Sequence, residues 1–310
     1  MNLISRTSEL NQLCQTLTTA EFVAVDTEFM REQTYWPELC LIQIASEDVQ
    51  AIIDPCSPNI DLRSFFDLMS NKSVHKVFHA ARHDVEISFS KAGVVPEPIF
   101  DTQIAAAVCG YGDSVSYMKL VKDITGHEVD KSSRFTDWTR RPLSDKQLIY
   151  ALGDVTHLCN IYRELKSRLH KSGRELWLLE EMTNLMQPEN YFTKPEDAWK
   201  RLKMRVRNKK SLGVLIELAS WREKLAQSQN VPRNRILRDE AIYDISNQIP
   251  RSLDELSELR TLSDGFARSQ RAKDIIEVIK KGLEWDPSQL PLQKKESQLT
   301  AEATATLELL

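Results

Sequence analysis

Two carboxylates, Asp26 and Glu28, stand two residues apart where the apolar run Phe22, Val23, Ala24, Val25 gives way to charge. Such a β-branched and aromatic run reads as a strand buried on both faces. Side chains two apart on a strand point to the same side, so the pair projects together from the strand's end. Carboxylates this close repel and raise each other's pKa unless a cation lies between them; a solvated strand end is the plain alternative. Two further acids sit at the edges of apolar elements. Asp84 follows the run 76–79 at the opening of a helix, where N-capping is its ordinary use. Asp154 lies in Ala151-Leu152-Gly153-Asp154-Val155, where a carboxylate needs a partner, whether a salt bridge or an ion. Tyr150, four residues earlier, shares its helix face. Each acid alone has a bland use, but four of them at such edges are hard to explain as coincidences. Four oxygen donors suit two hard divalent cations, Mg²⁺ or Mn²⁺. Two such ions activate a water and stabilise the leaving oxygen of a phosphodiester, and Tyr150 is placed to align that water.

The elements that must hold these residues are legible as an α/β first part. After the strand at 22–25, the runs 39–45 and 49–54 are two more strands joined by a short turn at 46–48, which suggests an antiparallel meander. Residues 62–69 form a short amphipathic helix, 76–79 a fourth strand, and 84–92 a helix, with Pro96 and Pro98 ending that region. A small-residue helix over 102–109 and another over 116–125, stopped by Gly126, follow. The polar stretch 127–143, with Trp138, Arg134, Arg140 and Arg141, reads as a surface loop over the site. A long helix then begins near Ser144 and runs towards Lys171, before Gly173. Beyond about residue 174 the chain is helical throughout. One helix covers 175–186, Pro188 and Pro195 punctuate a linker, and 213–227, 239–247, 252–258 and 268–282 are the helices of a small all-α domain. Residues 287–296 read as linker, and 299–310 resume an apolar helical pattern.

Composition excludes several classes. The chain has 310 residues, is 41% hydrophobic and 28% charged, and contains no apolar stretch near the roughly 20 residues that span a bilayer. Its first residues lack the pattern of a signal peptide. The five cysteines are scattered, without a C-x-x-C pair, which points to a reducing cytosol and away from disulfides or structural zinc. His79 and His83 have no third ligand at zinc spacing. The net charge of −4 hides an asymmetry. Residues 200–285 hold 19 Lys and Arg against 12 Asp and Glu, and the remainder 22 against 33. Seven of the eleven residues 200–210 are basic. A basic part beside an acidic one suggests that one binds a polyanion and the other gathers metal ions; uneven surface charge without function is the alternative.

The set Asp26-Thr27-Glu28, Asp84 and Tyr150-x-x-x-Asp154 resembles, in order and context, the three motifs of the DEDD superfamily of exonucleases in its tyrosine-bearing branch. The helical tail is similar to an HRDC domain, and the combination resembles the bacterial ribonuclease D family. This resemblance implies a ribonuclease-H-like mixed sheet flanked by helices, followed by a small all-α HRDC domain. Its implied partition is an exonuclease domain over 1–172, a helical linker over 173–208, HRDC over 209–288, and over 289–310 a linker and the cut-off start of a second HRDC domain. It also implies 3′-to-5′ hydrolysis to 5′-mononucleotides by a cytoplasmic monomer, with RNA, in particular precursor tRNA 3′ ends, as substrate and no membrane partner. Asp26, Glu28 and Asp154 would hold one metal ion, Asp26 would bridge to a second near Asp84, and Tyr150 would orient the water. Thr27, Phe29, Met30, Arg140 and Arg141 are candidate substrate contacts, with core packing for Phe29 and Met30 and a solvated loop for the arginines as alternatives.

Two rivals stand beside this reading. One is the same chemistry on DNA, since nothing in the sequence reads a 2′-hydroxyl. The other is a non-catalytic nucleic-acid-binding module, against which the intact acid set and Tyr150 argue.

Overall fold

A computed structural model of the chain describes residues 3–129, 136–203, 206, 208–263 and 265–291. The apolar segment 299–310 and Arg134 lie outside the described residues. The chain divides into two compact units. The first covers Met1–Thr193 with Asn230–Pro232, and the second covers the described residues of 194–229 and from 233 on.

The first unit is built on six strands: β1 (Leu3–Ile4), β2 (Phe22–Met30), β3 (Glu38–Ala45), β4 (Gln50–Ile53), β5 (His75–Phe78) and β6 (Ile99–Asp101). They lie side by side in the order β1-β4-β3-β2-β5-β6. The expected meander is present, with β3 antiparallel to β2 and to β4. The outer strands make the sheet mixed, because β5 runs parallel to β2, β6 to β5, and β1 to β4. Strands β1 and β6, of two and three residues, are too short to show a period of their own.

Helices α1 (Thr7–Leu17), α2 (Arg63–Ser70), α3 (Arg82–Ala92), α4 (Thr102–Val108), α5 (Tyr117–Thr125), α6 (Asp145–Ser172) and α7 (Glu175–Leu185) flank the sheet. The long α6 starts in a capping box: Ser144 Oγ accepts from the Gln147 amide, and the Gln147 side chain accepts from the Ser144 amide. It ends at Gly173, whose φ of 65° suits a left-handed cap. Its Ala151, Val155, Leu158, Tyr162 and Leu165 are buried, and Tyr162 meets the rings of Phe22 and Phe100 at 4.5 and 4.8 Å. Segment 175–185, expected in a linker, packs on this unit as α7. Leu178 and Met182 are buried in its core, and the Met182 sulfur accepts the Asp101 amide at 3.3 Å.

The second unit is helical, with α8 (Lys209–Ser228), α9 (Arg233–Ile236), α10 (Asp239–Gln248), α11 (Leu253–Ser257) and α12 (Gln270–Leu283). Side-chain caps from Asn208, Ser252 and Ser269 start three of them. Inside, Glu223, 1% exposed, is held by Arg233 through two bonds of 2.6 Å.

Candidate active site

Strand β2 changes neighbours along its length. Phe22, Val23 and Ala24 pair with β5, whereas Ala24 to Met30 pair with β3. Beyond Ala24 the side vacated by β5 is open, and the acids emerge there. The first four residues of β2 are buried and the remaining five half-buried, so the strand passes from core to cleft at Asp26. A register shift falls between Glu28 and Phe29, which turns the following residues away from the period of the acids.

Across this opening lies α6. One oxygen each of Asp26, Glu28 and Asp154 fall within 4.8 Å of one another. They line a cleft of about 610 Å³ together with Tyr150, Thr27, Phe29, His79 and Tyr117. Tyr150 sits one turn before Asp154, with its ring 6.1 Å from that of the buried Trp138. Asp84, in the first turn of α3, is not among the residues that line this cleft or form the three-carboxylate cluster; it is linked to the acid-bearing strand by Thr27, whose Oγ1 donates to its carboxylate at 2.6 Å. The end of β2 is tied to α3 by Arg31, which grips both oxygens of Glu86 at 2.8 Å.

The electrostatics match the crowding. Burial, then the charge of Asp154, pushes Asp26 well above the ordinary carboxylate range. Burial, then the charge of Asp26, does the same to Asp84, against the opposing Thr27 hydrogen bond. Burial raises Asp154 to about 7. Such a set ionises together only when a cation neutralises it. An all-oxygen donor set drawn from separate elements suits a hard divalent ion, so the residues present fit a metal site at Asp26, Glu28 and Asp154.

The expected substrate contacts have varied surroundings. Phe29 lines the cleft with its ring 5.6 Å from His83. Met30 packs against the apolar cluster of Cys40, Leu41, Ile52, Trp138 and Ala151. Thr27 lines the cleft, but its hydroxyl goes to Asp84. Arg140 is exposed and paired with Asp137. The guanidinium of Arg141 is turned inward: it reaches both oxygens of Asp54 at 2.8 and 2.6 Å and the carbonyls of Cys40, Trp138 and Arg140. It anchors the loop before α6, with its donors committed inside the fold.

Other residues of the site escaped the sequence reading. Tyr117, at the start of α5, lines the cleft and donates to the Gly153 carbonyl at 3.0 Å, which braces α6 next to Asp154. Asp101 caps α4 and also reaches the turn before α3. An Asp directly before a small-residue helix is a capping signal that marks this position; for Tyr117 no local signal exists.

Comparison with known proteins agrees with this geometry. A family model described as 3′-5′ exonuclease matches residues 1–170, and one for the HRDC domain matches residues 211–279. Ribonuclease D of Nitrobacter hamburgensis is 50% identical over 310 residues, spanning 100% of this chain and 81% of that protein. Ribonuclease D of Bartonella henselae is 46% identical, spanning 100% and 76%. The crystal structure of Escherichia coli RNase D, described as an exoribonuclease involved in structured RNA processing, superposes with a TM-score of 0.87 at 30% identity, covering 100% of this chain and 82% of that one. The catalytic core of RRP6 from Trypanosoma brucei shares the fold, with a TM-score of 0.65 at 22% identity over 91% and 79% of the two chains. The mixed sheet flanked by helices, the acid cluster carried by its interior strand β2 and by α6, and the helical second unit thus coincide with likeness to these enzymes over the whole of this chain, and the chain belongs to the ribonuclease D family, 3′-5′ exoribonucleases of the DEDD type.

Proposed function

We propose that this chain removes 5′-mononucleotides from RNA 3′ ends, precursor tRNA among them, by a two-metal hydrolysis carried by Asp26, Glu28, Asp84, Tyr150 and Asp154. The observation that carries the reading is the convergence of three carboxylate oxygens within 4.8 Å on one cleft, with Asp84 adjacent. Divalent ions bound by such a cluster supply an activated water and charge stabilisation for the leaving oxygen. Asp26, Glu28 and Asp154 would hold one such ion, and Asp26 with Asp84 would serve a second. Tyr150, fixed against Trp138 and one helical turn from Asp154, orients the attacking water through its hydroxyl. Phe29 offers the terminal base an aromatic face at the cleft wall. Structured RNA as substrate is supported by likeness to the Escherichia coli enzyme, and by the basic balance of residues 200–285, which suits a polyanion.

The test is release of label from a 3′-labelled oligoribonucleotide, with and without Mg²⁺ or Mn²⁺, beside a deoxy version of the same strand. Metal-dependent release of 5′-mononucleotides from RNA is expected. Equal or faster release from the deoxy strand would favour the DNA reading, and no release with any metal would favour a binding module. A precursor tRNA carrying a 3′ trailer then tests the substrate: shortening to the mature end is expected, and an untouched trailer would remove tRNA from the proposal.

A further inference from the structure

The chain reverses between β5 and α3 through Phe78, His79, Ala80 and Ala81, and His79 and Ala80 form part of the cleft wall. Ala80 has φ 58°, a left-handed conformation that residues with a Cβ adopt at a cost and keep only when their surroundings over-determine it. The surroundings are two consecutive side chains at the β6–α4 junction. Asp101 accepts the Ala80 amide on Oδ1 at 3.1 Å and the Ala81 amide on Oδ2 at 2.8 Å. The same Oδ1 accepts the Gln103 amide of α4 at 2.8 Å. Thr102 Oγ1 donates to the Phe78 carbonyl at 2.9 Å and meets His79 Nδ1 at 3.0 Å. Because the Thr102 proton is committed to Phe78, His79 Nδ1 is the donor in that second contact. Every residue from 78 to 81 is therefore bonded to Asp101 or Thr102, which are 3% and 0% exposed.

The turn so held is the one from which α3 departs, and Asp84 lies in the first turn of α3. We propose that Asp101 and Thr102 are positioning residues for Asp84: they fix the direction in which α3 leaves the sheet, and thereby hold Asp84 at the metal site. The proposal rests on the reading of Asp84 as part of that site. Asp101 faces backbone amides rather than the cleft, so it acts through the turn and not on the substrate. A carboxylate shared between the starts of two helices suits this task, since each oxygen satisfies a donor that the helix itself leaves unpaired.

Calorimetric titration of Mn²⁺ into the full chain tests this, on wild type, Asp101→Asn, Thr102→Val, Thr102→Ser, Asp84→Asn and the Asp101→Asn/Asp84→Asn pair. An asparagine presents an NH₂ to one of the amides that Asp101 accepts, and valine keeps the shape of Thr102 without its hydroxyl. Asp101→Asn is expected to weaken Mn²⁺ binding about tenfold or more, the scale on which supports of metal ligands act. Thr102→Val should weaken it in the same direction and Thr102→Ser should restore it. In the Asp84→Asn background, Asp101→Asn should cause no further loss. Thermal unfolding in EDTA identifies any variant that fails to fold, and the isosteric Thr102→Val carries the test if Asp101→Asn does. Wild-type Mn²⁺ affinity in folded Asp101→Asn and Thr102→Val, or additive losses in the double variant, would overturn the proposal. A wild-type chain that binds no Mn²⁺ would overturn the metal-site reading beneath it.

Discussion

Tyr150 and Asp154 occupy one face of one helix and are proposed to do different work, so they separate by mutation. Asp154→Asn removes a charged ligand from a cluster whose oxygens lie within 4.8 Å, and metal affinity and turnover are expected to fall together. Tyr150→Phe keeps the packing against Trp138 and removes only the hydroxyl. Single-turnover hydrolysis should slow by about 100-fold or more, with Mn²⁺ and RNA affinity close to wild type. A Tyr150→Phe enzyme with lowered melting temperature but normal turnover would make Tyr150 a packing residue instead. The acids also predict a pH dependence. Asp154, ordinarily at 3.8, is raised to about 7 by burial. The folded state then holds its proton more tightly than the unfolded chain does. The stability from this group is fully present below 3.8 and is lost as pH rises through about 7. Cation binding must displace that proton at low pH and relieves the repulsion at high pH. The rise in melting temperature on adding Mg²⁺ should therefore be larger at about pH 8 than at about pH 5.5, and an equal rise at both would refute proton-linked metal binding at this cluster.

Among the elements, the contact between α8 and α12 has the least tolerance. Gly213 and Gly282 face each other so closely that a Cβ on Gly282 would lie 2.5 Å from the Cα of Val214, and one on Gly213 would strike the Gly282 carbonyl. The obstructing atoms are backbone, so no rotamer change relieves the clash. Gly282→Ala is expected to destabilise the helical unit by about 3 kcal/mol, read as a lowered melting transition, while hydrolysis of a short single strand at low temperature stays near wild type. An unchanged transition would mean that the helices separate at little cost. In the first unit the corresponding precision lies in how β2 is flanked. Its pairing with β5 stops at Ala24, Arg31 clamps its far end to Glu86, and Arg141 clamps the loop before α6 to Asp54. Each clamp joins segments far apart in sequence and limits the freedom of an acid-bearing element.

At the scale of the whole chain, a net charge of −4 combines an acidic first part with a basic helical one. Phosphate contacts release counterions, so the affinity of such a chain for RNA should drop steeply with salt. Lys203 and Lys210 are both exposed in the basic segment. Lys203→Glu combined with Lys210→Glu should weaken binding of structured RNA and flatten its salt dependence by about one unit of slope per residue lost from the contact. Turnover of a short oligoribonucleotide should change little. Unaltered affinity and slope, measured by filter binding across a salt series, would place the RNA-holding surface elsewhere.

The sequence by itself determined what is local. A β-branched run ending in two carboxylates specifies a strand end with both acids on one side, and a helix with Tyr150 and Asp154 four apart puts them on one face, because these periods are properties of the backbone. The caps at Ser144 and Gly173 bound that helix for the same reason. Which of the neighbouring polar residues serve the site was decided only by tertiary structure. Arg141 looked like a phosphate contact and is spent on Asp54; Met30 looked like a base platform and packs against Trp138 and Leu41. Tyr117 and Arg31 showed no sign of their roles, and Asp101 showed only its cap on α4, because the partners Gly153, Glu86 and Ala80 are tens of residues away. A side chain's hydrogen bonds depend on what the folded chain brings within about 3 Å of it, and that is set by how β2 runs on past its pairing with β5 and how α6 packs against it, not by the residues on either side.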